Sequence, residues 1–208
     1  MPIPEPATSP DRLGSTKDSS TAGKKSKKVT SCPISPTRCQ YGGSTFEYAA
    51  FSPSTRFLKE VQAVFPRLSR QQLNTVLIVP VFQQCENDMV GITPEINRER
   101  DVKLELFIEW GNKVADRLAQ VGMWGDMTDP ASGYPVRSEP GPSTYPDVQA
   151  THSLMPSMVD VQNVGCCHIL LHRDWKSHVY PATFFTTAPA DILQKIIAEI
   201  INNDSSHA

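Results

Sequence analysis

Two adjacent cysteines, Cys166 and Cys167, are the residues of this sequence best suited to chemistry. They follow Gly165, where the chain can turn and another molecule can approach closely, and they precede His168. A cysteine thiolate is both a nucleophile and a soft metal ligand. A disulfide between neighbours would strain the peptide, and two thiolates are too few for a structural zinc site. Because free cysteines are often buried, simple packing is the competing interpretation.

Strand alternation separates the two thiols if residues 166–172 form a strand, as their composition predicts. Cys167 then shares a face with two aliphatic residues and is expected in the core. Cys166 shares the opposite face with His168 and His172, and this polar face is expected to be the more exposed one. If one thiol reacts, the pattern therefore predicts that it is Cys166.

Other pairs of polar residues give weaker signals. Cys166 and His168 could act as a nucleophile and its base, but the sequence identifies no third group to orient the base. His168 and His172 are about 13 Å apart along a strand, which is too far to share a metal ion. Asp126 and Asp129 could do acid–base work, but aspartates around Pro-Ala-Ser-Gly are typical of a turn. We therefore predict no catalytic residue and no metal site.

The composition limits the function classes that need to be considered. The chain has 208 residues, of which 39% are hydrophobic, enough for one domain with a core. A formal net charge of −2 argues against a dedicated nucleic-acid binder. No apolar run approaches the roughly 18 residues of a membrane span. Five cysteines, an odd number, favour a reducing compartment such as the cytoplasm. Because no dinucleotide, P-loop, zinc-protease, nucleophile-elbow or CxxC motif occurs, no local signature predicts an enzyme.

The chain is expected to have three parts. Residues 1–45 carry seven basic and three acidic residues among many Ser, Thr and Pro, and they are predicted to be a disordered basic tail. Residues 46–203 are predicted to form a single domain, and residues 204–208 a frayed C-terminus. The tail lacks the apolar segment of a signal peptide and makes a poor mitochondrial presequence.

Within the domain, the pattern predicts an α+β fold with a largely antiparallel sheet and flanking helices. Pro80 indicates an edge strand or a bulge, and Gly111 would let its helix pack closely. Three helices are expected: one after Ser52, one that ends at Gly122 and one after Pro189. Strands are expected over 75–82, within 88–97, twice within 123–137, over 166–172 and over 178–186. Residues 138–160 are expected to be a proline-rich loop.

Several segments together resemble the C-terminal domain of the methylmalonic aciduria and homocystinuria type D proteins, a cobalamin-trafficking family. The matches run in order along most of the predicted domain, and the Gly-Cys-Cys element is the most specific of them. They are Asn87-Asp88-Met89, Glu95–Glu105, the run from Gly122 to Gly133 (GMWGDMTDPASG), Val164–Ile169 (VGCCHI), Trp175 with His178 and Val179, and Phe184–Asp191.

The resemblance implies a nitroreductase-like or flavin-reductase-like scaffold that lacks flavin, and a non-enzymatic adaptor function. The family docks on the type C protein, which processes cobalamin (vitamin B12), and the first cysteine of the Gly-Cys-Cys element supplies a thiolate to the cobalt held by that partner. In this sequence that cysteine is Cys166. Cobalamin is then directed to methionine synthase, to methylmalonyl-CoA mutase or to both.

The same resemblance sets the expected partners and compartments. The methionine synthase machinery is a further expected partner, whereas nucleic acid and membranes are not. The chain alone is expected to bind no cofactor, because cobalamin is shared with the type C protein. The mitochondrion joins the cytoplasm as an expected location.

Two alternatives from other classes remain open. A flavin- or nicotinamide-dependent reductase could use the same scaffold, and a protein yellow with bound FMN would favour it. A thiol redox sensor could act through reversible oxidation of Cys166 and Cys167 without cobalamin. The lack of a flavin-phosphate motif in the sequence favours the adaptor over the reductase.

Overall fold

The computed structural model describes residues 30–165 and 168–205. The helices within these ranges are α1 (Thr55–Val64), α2 (Arg70–Thr75), α3 (Pro94–Gln120), α4 (Asp147–Leu154) and α5 (Ala190–Ser205). The strands are β1 (Ser31–Tyr41), β2 (Ser44–Ser52), β3 (Leu77–Gln84), β4 (Gly125–Thr128), β5 (Val159–Asn163), β6 (His168–His172) and β7 (Val179–Thr186).

Five of the strands form one sheet in the order β1-β2-β3-β7-β4, and every neighbouring pair is antiparallel. The strands β5 and β6 form a separate antiparallel pair. Helices cover the large sheet, so the predicted α+β class with a largely antiparallel sheet is confirmed.

The sheet separates two apolar cores. On one face, α3 and α5 contribute Phe107, Trp110 and Leu193 to the first core. The second core holds side chains of α1, α2 and α4 together with Val159 and Leu170 of the β5–β6 pair. The β5–β6 pair is therefore attached to the body on the face opposite α3 and α5.

The strand β3 is central, although Pro80 predicted an edge strand or a bulge. All residues from Leu77 to Gln83 are buried, and all but Gln83 are apolar, as expected for a strand covered on both faces. Pro80 is paired with Thr183 of β7, while the ladder to β2 has no partner at Val79 or Pro80. The edge prediction is wrong because this interruption accommodates a residue without an N–H group.

The predicted boundary at residue 45 is wrong, because the two strands that precede α1 include residues 31–41 and 44–45. Residues 31–41 form β1 and residues 44–52 form β2, with Ile34 and Tyr41 almost fully buried. The turn between them is Gly42-Gly43, with φ of 55° and 72°, a left-handed pair that favours a two-residue hairpin. That Gly-Gly signal was available in the sequence. The remainder of the predicted tail, up to residue 29, lies outside the described residues.

The chain between β3 and β4 also differs from prediction. The expected strand within 88–97 is wrong, because Thr93 caps α3 by accepting the Ile96 N–H at 3.4 Å, and Pro94 occupies the first turn. The helix expected to end at Gly122 is confirmed, and it begins at Pro94. The first helix, expected after Ser52, is confirmed too, and its N-cap is Ser54.

The region 123–160 has more regular structure than the sequence indicated. One strand, β4, forms where two were expected, and a single bridge joins Thr128 to Pro135. The proline-rich loop contains α4 and the start of β5. At the other end of the chain, α5 continues through Ser205, so residues 204 and 205 are helical rather than frayed. No helix in the described ranges is both long enough and apolar enough to span a bilayer.

The predicted close approach at Gly111 is confirmed. A Cβ atom at this position would lie 2.3 Å from the sulfur of Met127, which is fully buried on β4. We expect Gly111→Ala to lower the free energy of unfolding by ~1 kcal/mol, because the overpacking cost of 1–3 kcal/mol exceeds the gain of about 1 kcal/mol in helix propensity. Denaturant melts test this against Glu105→Ala, an exposed site on the same helix. The same free energy of unfolding for Gly111→Ala and Glu105→Ala would contradict this prediction.

Candidate functional site

The cysteine pair lies in the connection between β5 and β6. Asn163 and His168 are paired across the two strands, so the segment 164–167 links them. Gly165 is exposed with φ of 93°, and its N–H donates to Oδ1 of Asn163 at 3.0 Å. This left-handed conformation favours glycine. Cys166 and Cys167 themselves lie outside the described residues, so the role assigned to Cys166 stays a prediction.

The faces of β6 differ from the sequence-based expectation. His172 is fully buried and Leu170 is nearly so, whereas Ile169 and Leu171 are half-buried and His168 is exposed. The alternation itself holds, but the face predicted to be polar and exposed enters the second core. The prediction for His172 is therefore wrong, because tertiary contacts decide which face of a two-stranded unit is covered.

A pocket of about 380 Å³ lies beside the start of β6. Its walls come from β6, β7, α3, α4 and the loops that follow β3 and β4, and they are mostly apolar. The pocket also has polar groups from Arg100, Asp101, His168 and Tyr180. A cleft with apolar walls and a few polar groups is a typical small-molecule site.

The Arg100 guanidinium shapes this pocket by holding one of its loops. Nη2 donates to the carbonyl oxygens of Met89 and Gly91 at 2.6 and 2.8 Å, and Nη1 donates to Oδ1 of Asn97 at 2.8 Å. Glu99, also on α3, accepts the backbone N–H groups of residues 86 and 87 at 2.7 and 3.0 Å. Both charged side chains therefore serve mainly to position the loop.

Two groups near the pocket are polar and short of partners. The hydroxyl of Tyr180 makes no hydrogen bond to the described part of the chain, and burial, with Asp129 and Asp147 nearby, raises its pKa. Asp147 is half-buried as a residue, but its carboxylate is buried: Thr183 donates to Oδ1, and Oδ2 has no partner among the described residues. Burial first, and Asp129 second, raise the pKa of Asp147 to about 7 despite the Thr183 hydrogen bond. Sequence reasoning missed both residues, because their types are ordinary and only their burial is unusual.

The aspartates singled out in the sequence are structural. Asp126 is fully buried, and its carboxylate accepts backbone N–H groups of Met127, Arg137 and Ser138 at 2.7 to 3.0 Å. Asp129 accepts two N–H groups of the following turn, at 2.8 and 2.7 Å. Both carboxylates are occupied by backbone donors, as the turn interpretation predicted.

The three cysteines within the described residues are poorly suited to thiolate chemistry. Burial raises the pKa of Cys39 to about 11 and that of Cys85 to about 12. The pKa of Cys32 is also raised by burial. These thiols therefore stay protonated near neutral pH. In the described ranges, no cluster of three or more His, Cys, Asp or Glu side chains could hold a metal ion.

Comparison with known proteins gives the same assignment as the sequence segments. Relatives named cobalamin trafficking protein CblD match 141 residues: the mouse protein is 32% identical, the human 31% and the chicken 29%. The match covers 66% of this chain and 46% of each relative, so it spans about half the length of the curated relatives. Residues 15–199 match the family model described as methylmalonic aciduria and homocystinuria type D protein. This chain belongs to that family.

Proposed function

We propose that the chain is a non-enzymatic adaptor that docks on the type C cobalamin-processing protein and offers the Cys166 thiolate to the cobalt of the cobalamin held there. Cobalamin is then passed towards methionine synthase, methylmalonyl-CoA mutase or both, in the cytoplasm or the mitochondrion. The chain itself holds no cofactor, and its scaffold is a nitroreductase-like one without flavin.

The observation that carries the proposal is the place of the Gly-Cys-Cys-His element in a chain of this family. It connects two strands beside an open, mostly apolar pocket. Val164 and Gly165 are exposed next to the thiols, and no charged side chain precedes them in the link. A soft thiolate suits a cobalt centre, provided that it is deprotonated and accessible.

The three thiols within the described residues do not offer this combination. Cys85 is buried and Cys39 is half-buried. Cys32 is exposed on the edge strand β1, but partial burial of its thiol raises its pKa. A cobalt ion inside a macrocycle bound to another protein can be reached only by a thiol that projects from the surface. Cys166 is our assigned ligand because it follows exposed Gly165 in the sequence and matches the first cysteine of the family's Gly-Cys-Cys element.

Reconstitution of the ternary mixture tests the proposed function. The purified chain should be colourless, and adding it to cobalamin alone should leave the visible spectrum unchanged. With the type C protein and cobalamin both present, a new spectrum should appear and saturate as the chain is titrated. An unchanged spectrum in a mixture whose pull-down shows the complex would contradict thiolate ligation, and a yellow protein with bound FMN would favour the reductase.

A further inference from the structure

The side chain of His172 is completely buried at the end of β6, between two aromatic rings. Its ring centre is 4.4 Å from that of Trp175, at an interplanar angle of 25°, and 5.3 Å from that of Phe82 on β3. A fully buried imidazole needs partners for both ring nitrogens, because an unpaired buried polar group is costly.

Both nitrogens of His172 have partners, and these define its tautomer. The backbone N–H groups of Asp174 and Trp175 both point at Nδ1, at 3.3 Å. Since Nδ1 accepts these bonds, the proton of the neutral ring lies on Nε2. Nε2 then donates to Oε1 of Glu47 on β2 at 3.1 Å.

Glu47 is itself held in place. Its side chain is 3% exposed, and Oε2 accepts from Nε of Arg38 on β1 at 2.5 Å. Burial alone raises the pKa of Glu47, but hydrogen bonds from His172 and Arg38 outweigh it and lower the pKa, so the carboxylate is ionised at neutral pH. Arg38 also pairs with Asp174, and its guanidinium lies 5.0 Å from the ring centre of Trp175.

Five residues in mutual contact form what we call the His172 cluster: Arg38, Glu47, His172, Asp174 and Trp175. It joins two strands of the large sheet to the end of β6 and to the turn that follows. No backbone ladder within the described residues joins β6 to the large sheet. The strand β6 begins at His168, which directly follows the cysteine pair in the sequence, so a tie at His172 holds the strand to which that pair is joined.

We propose that Glu47 and His172 are positioning residues for the thiol: their hydrogen bond fixes β6 on the large sheet, and thereby the connection that carries Cys166. The inference rests on the proposed function for its consequence in cobalt ligation. Its structural part, the attachment of β6 to the large sheet, rests on the contacts of the described residues.

The test compares His172→Phe with Glu47→Gln. Phenylalanine keeps a ring between Trp175 and Phe82 but removes both nitrogens. Glutamine keeps one oxygen that can accept from Nε2 and gives up the bond from Arg38, whose half-exposed guanidinium can donate to water instead. Tyr41→Phe is the matched control, because it removes the hydrogen bond of a buried β1 ring to Glu109, at 3.1 Å, which is not connected to β6.

Two measurements separate positioning from general destabilisation. In hydrogen exchange, we expect the protection of the β6 amides at 169–171 to fall about 10-fold or more in His172→Phe, and to stay near wild type in Glu47→Gln and Tyr41→Phe. In the ternary mixture, the chain concentration for half-maximal cobalt–sulfur spectrum should rise about 10-fold in His172→Phe only. Pull-down of the type C protein should change less than about 2-fold, since an interface rests on many residues.

Equal protection of β6 in His172→Phe and wild type would overturn the inference, and so would an equal loss in Tyr41→Phe. If His172→Phe does not fold, loss of β6 protection in Glu47→Ala with none in Glu47→Gln supports it, and the reverse contradicts it. If wild type itself gives no cobalt–sulfur spectrum, the proposed function fails. The exchange result then decides by itself whether the pair fixes the β5–β6 hairpin.

Discussion

Cys166→Ser should fold like wild type and yet abolish the cobalt–sulfur spectrum of the ternary mixture. Serine is nearly isosteric with cysteine, but its hydroxyl stays protonated at pH values where a thiol with a pKa of about 8.5 ionises. The wild-type signal should therefore rise with pH towards the thiol pKa and level off above it, whereas the serine variant should give no signal at any pH. The visible spectrum, recorded alongside a pull-down of the type C protein, measures both properties.

The neighbouring thiol supplies the matched control for this experiment. Cys167→Ser changes the adjacent residue by the same single atom, and it should keep the cobalt–sulfur spectrum. Retention of the spectrum in Cys166→Ser would show that Cys166 is not the ligand. Loss in Cys167→Ser alone would mean that the roles of the two thiols are reversed.

Asp147→Asn should make the protein more stable than wild type at pH 8 and remove much of the pH dependence of unfolding between pH 4 and pH 7. The ordinary pKa of this carboxyl group is 3.8, and its pKa in the folded protein is about 7. In that interval the folded state keeps a proton that the unfolded state releases. The free energy of unfolding must therefore fall as pH rises from 3.8 to about 7, with the full cost present above it.

The size of the Asp147 effect follows from the shift. A rise of about three pKa units corresponds to roughly 4 kcal/mol at most. Relaxation of the protein and entry of water around a buried charge reduce this cost, so we expect a gain on the order of 2 kcal/mol for Asp147→Asn at pH 8. The amide is neutral at all these pH values and still accepts from Thr183. Since α4 begins at Asp147 and packs on β5, β6 and β7, the wild-type helix should also loosen at high pH.

Denaturant melts from pH 4.5 to pH 8.5 test this prediction. Asp160→Asn is the control, because it removes an exposed carboxylate from the neighbouring strand β5. The free energy of unfolding of Asp160→Asn should change with pH in parallel with that of wild type. The free energy of unfolding of Asp147→Asn should rise above that of wild type as pH increases. Parallel curves for all three proteins would show that Asp147 does not titrate in this range.

Local sequence was sufficient wherever neighbouring residues decide the structure. The apolar spacing that precedes Gly122 in α3 and that of α5 specify helices because their stabilising contacts repeat every three or four residues. The β-branched run of β3 specifies a strand for the corresponding reason at a period of two. The spacing around Gly111 also indicated a close packing contact. For the thiol, the sequence singled out Cys166 only as a prediction, supported by the family resemblance.

Tertiary structure decided what depends on distant partners. His172 and Glu47 are 125 residues apart in sequence, so no pattern around β6 could show that its histidine face meets a buried carboxylate. Pro80 reads as an edge residue until the gap in the β2 ladder is seen. The strand β1 is polar overall and buries Ile34 and Tyr41 only because β2 pairs with it after the Gly42-Gly43 turn. In each case the free energy that fixes the buried residue comes from surfaces brought together by folding, and a local window does not show which surfaces these are.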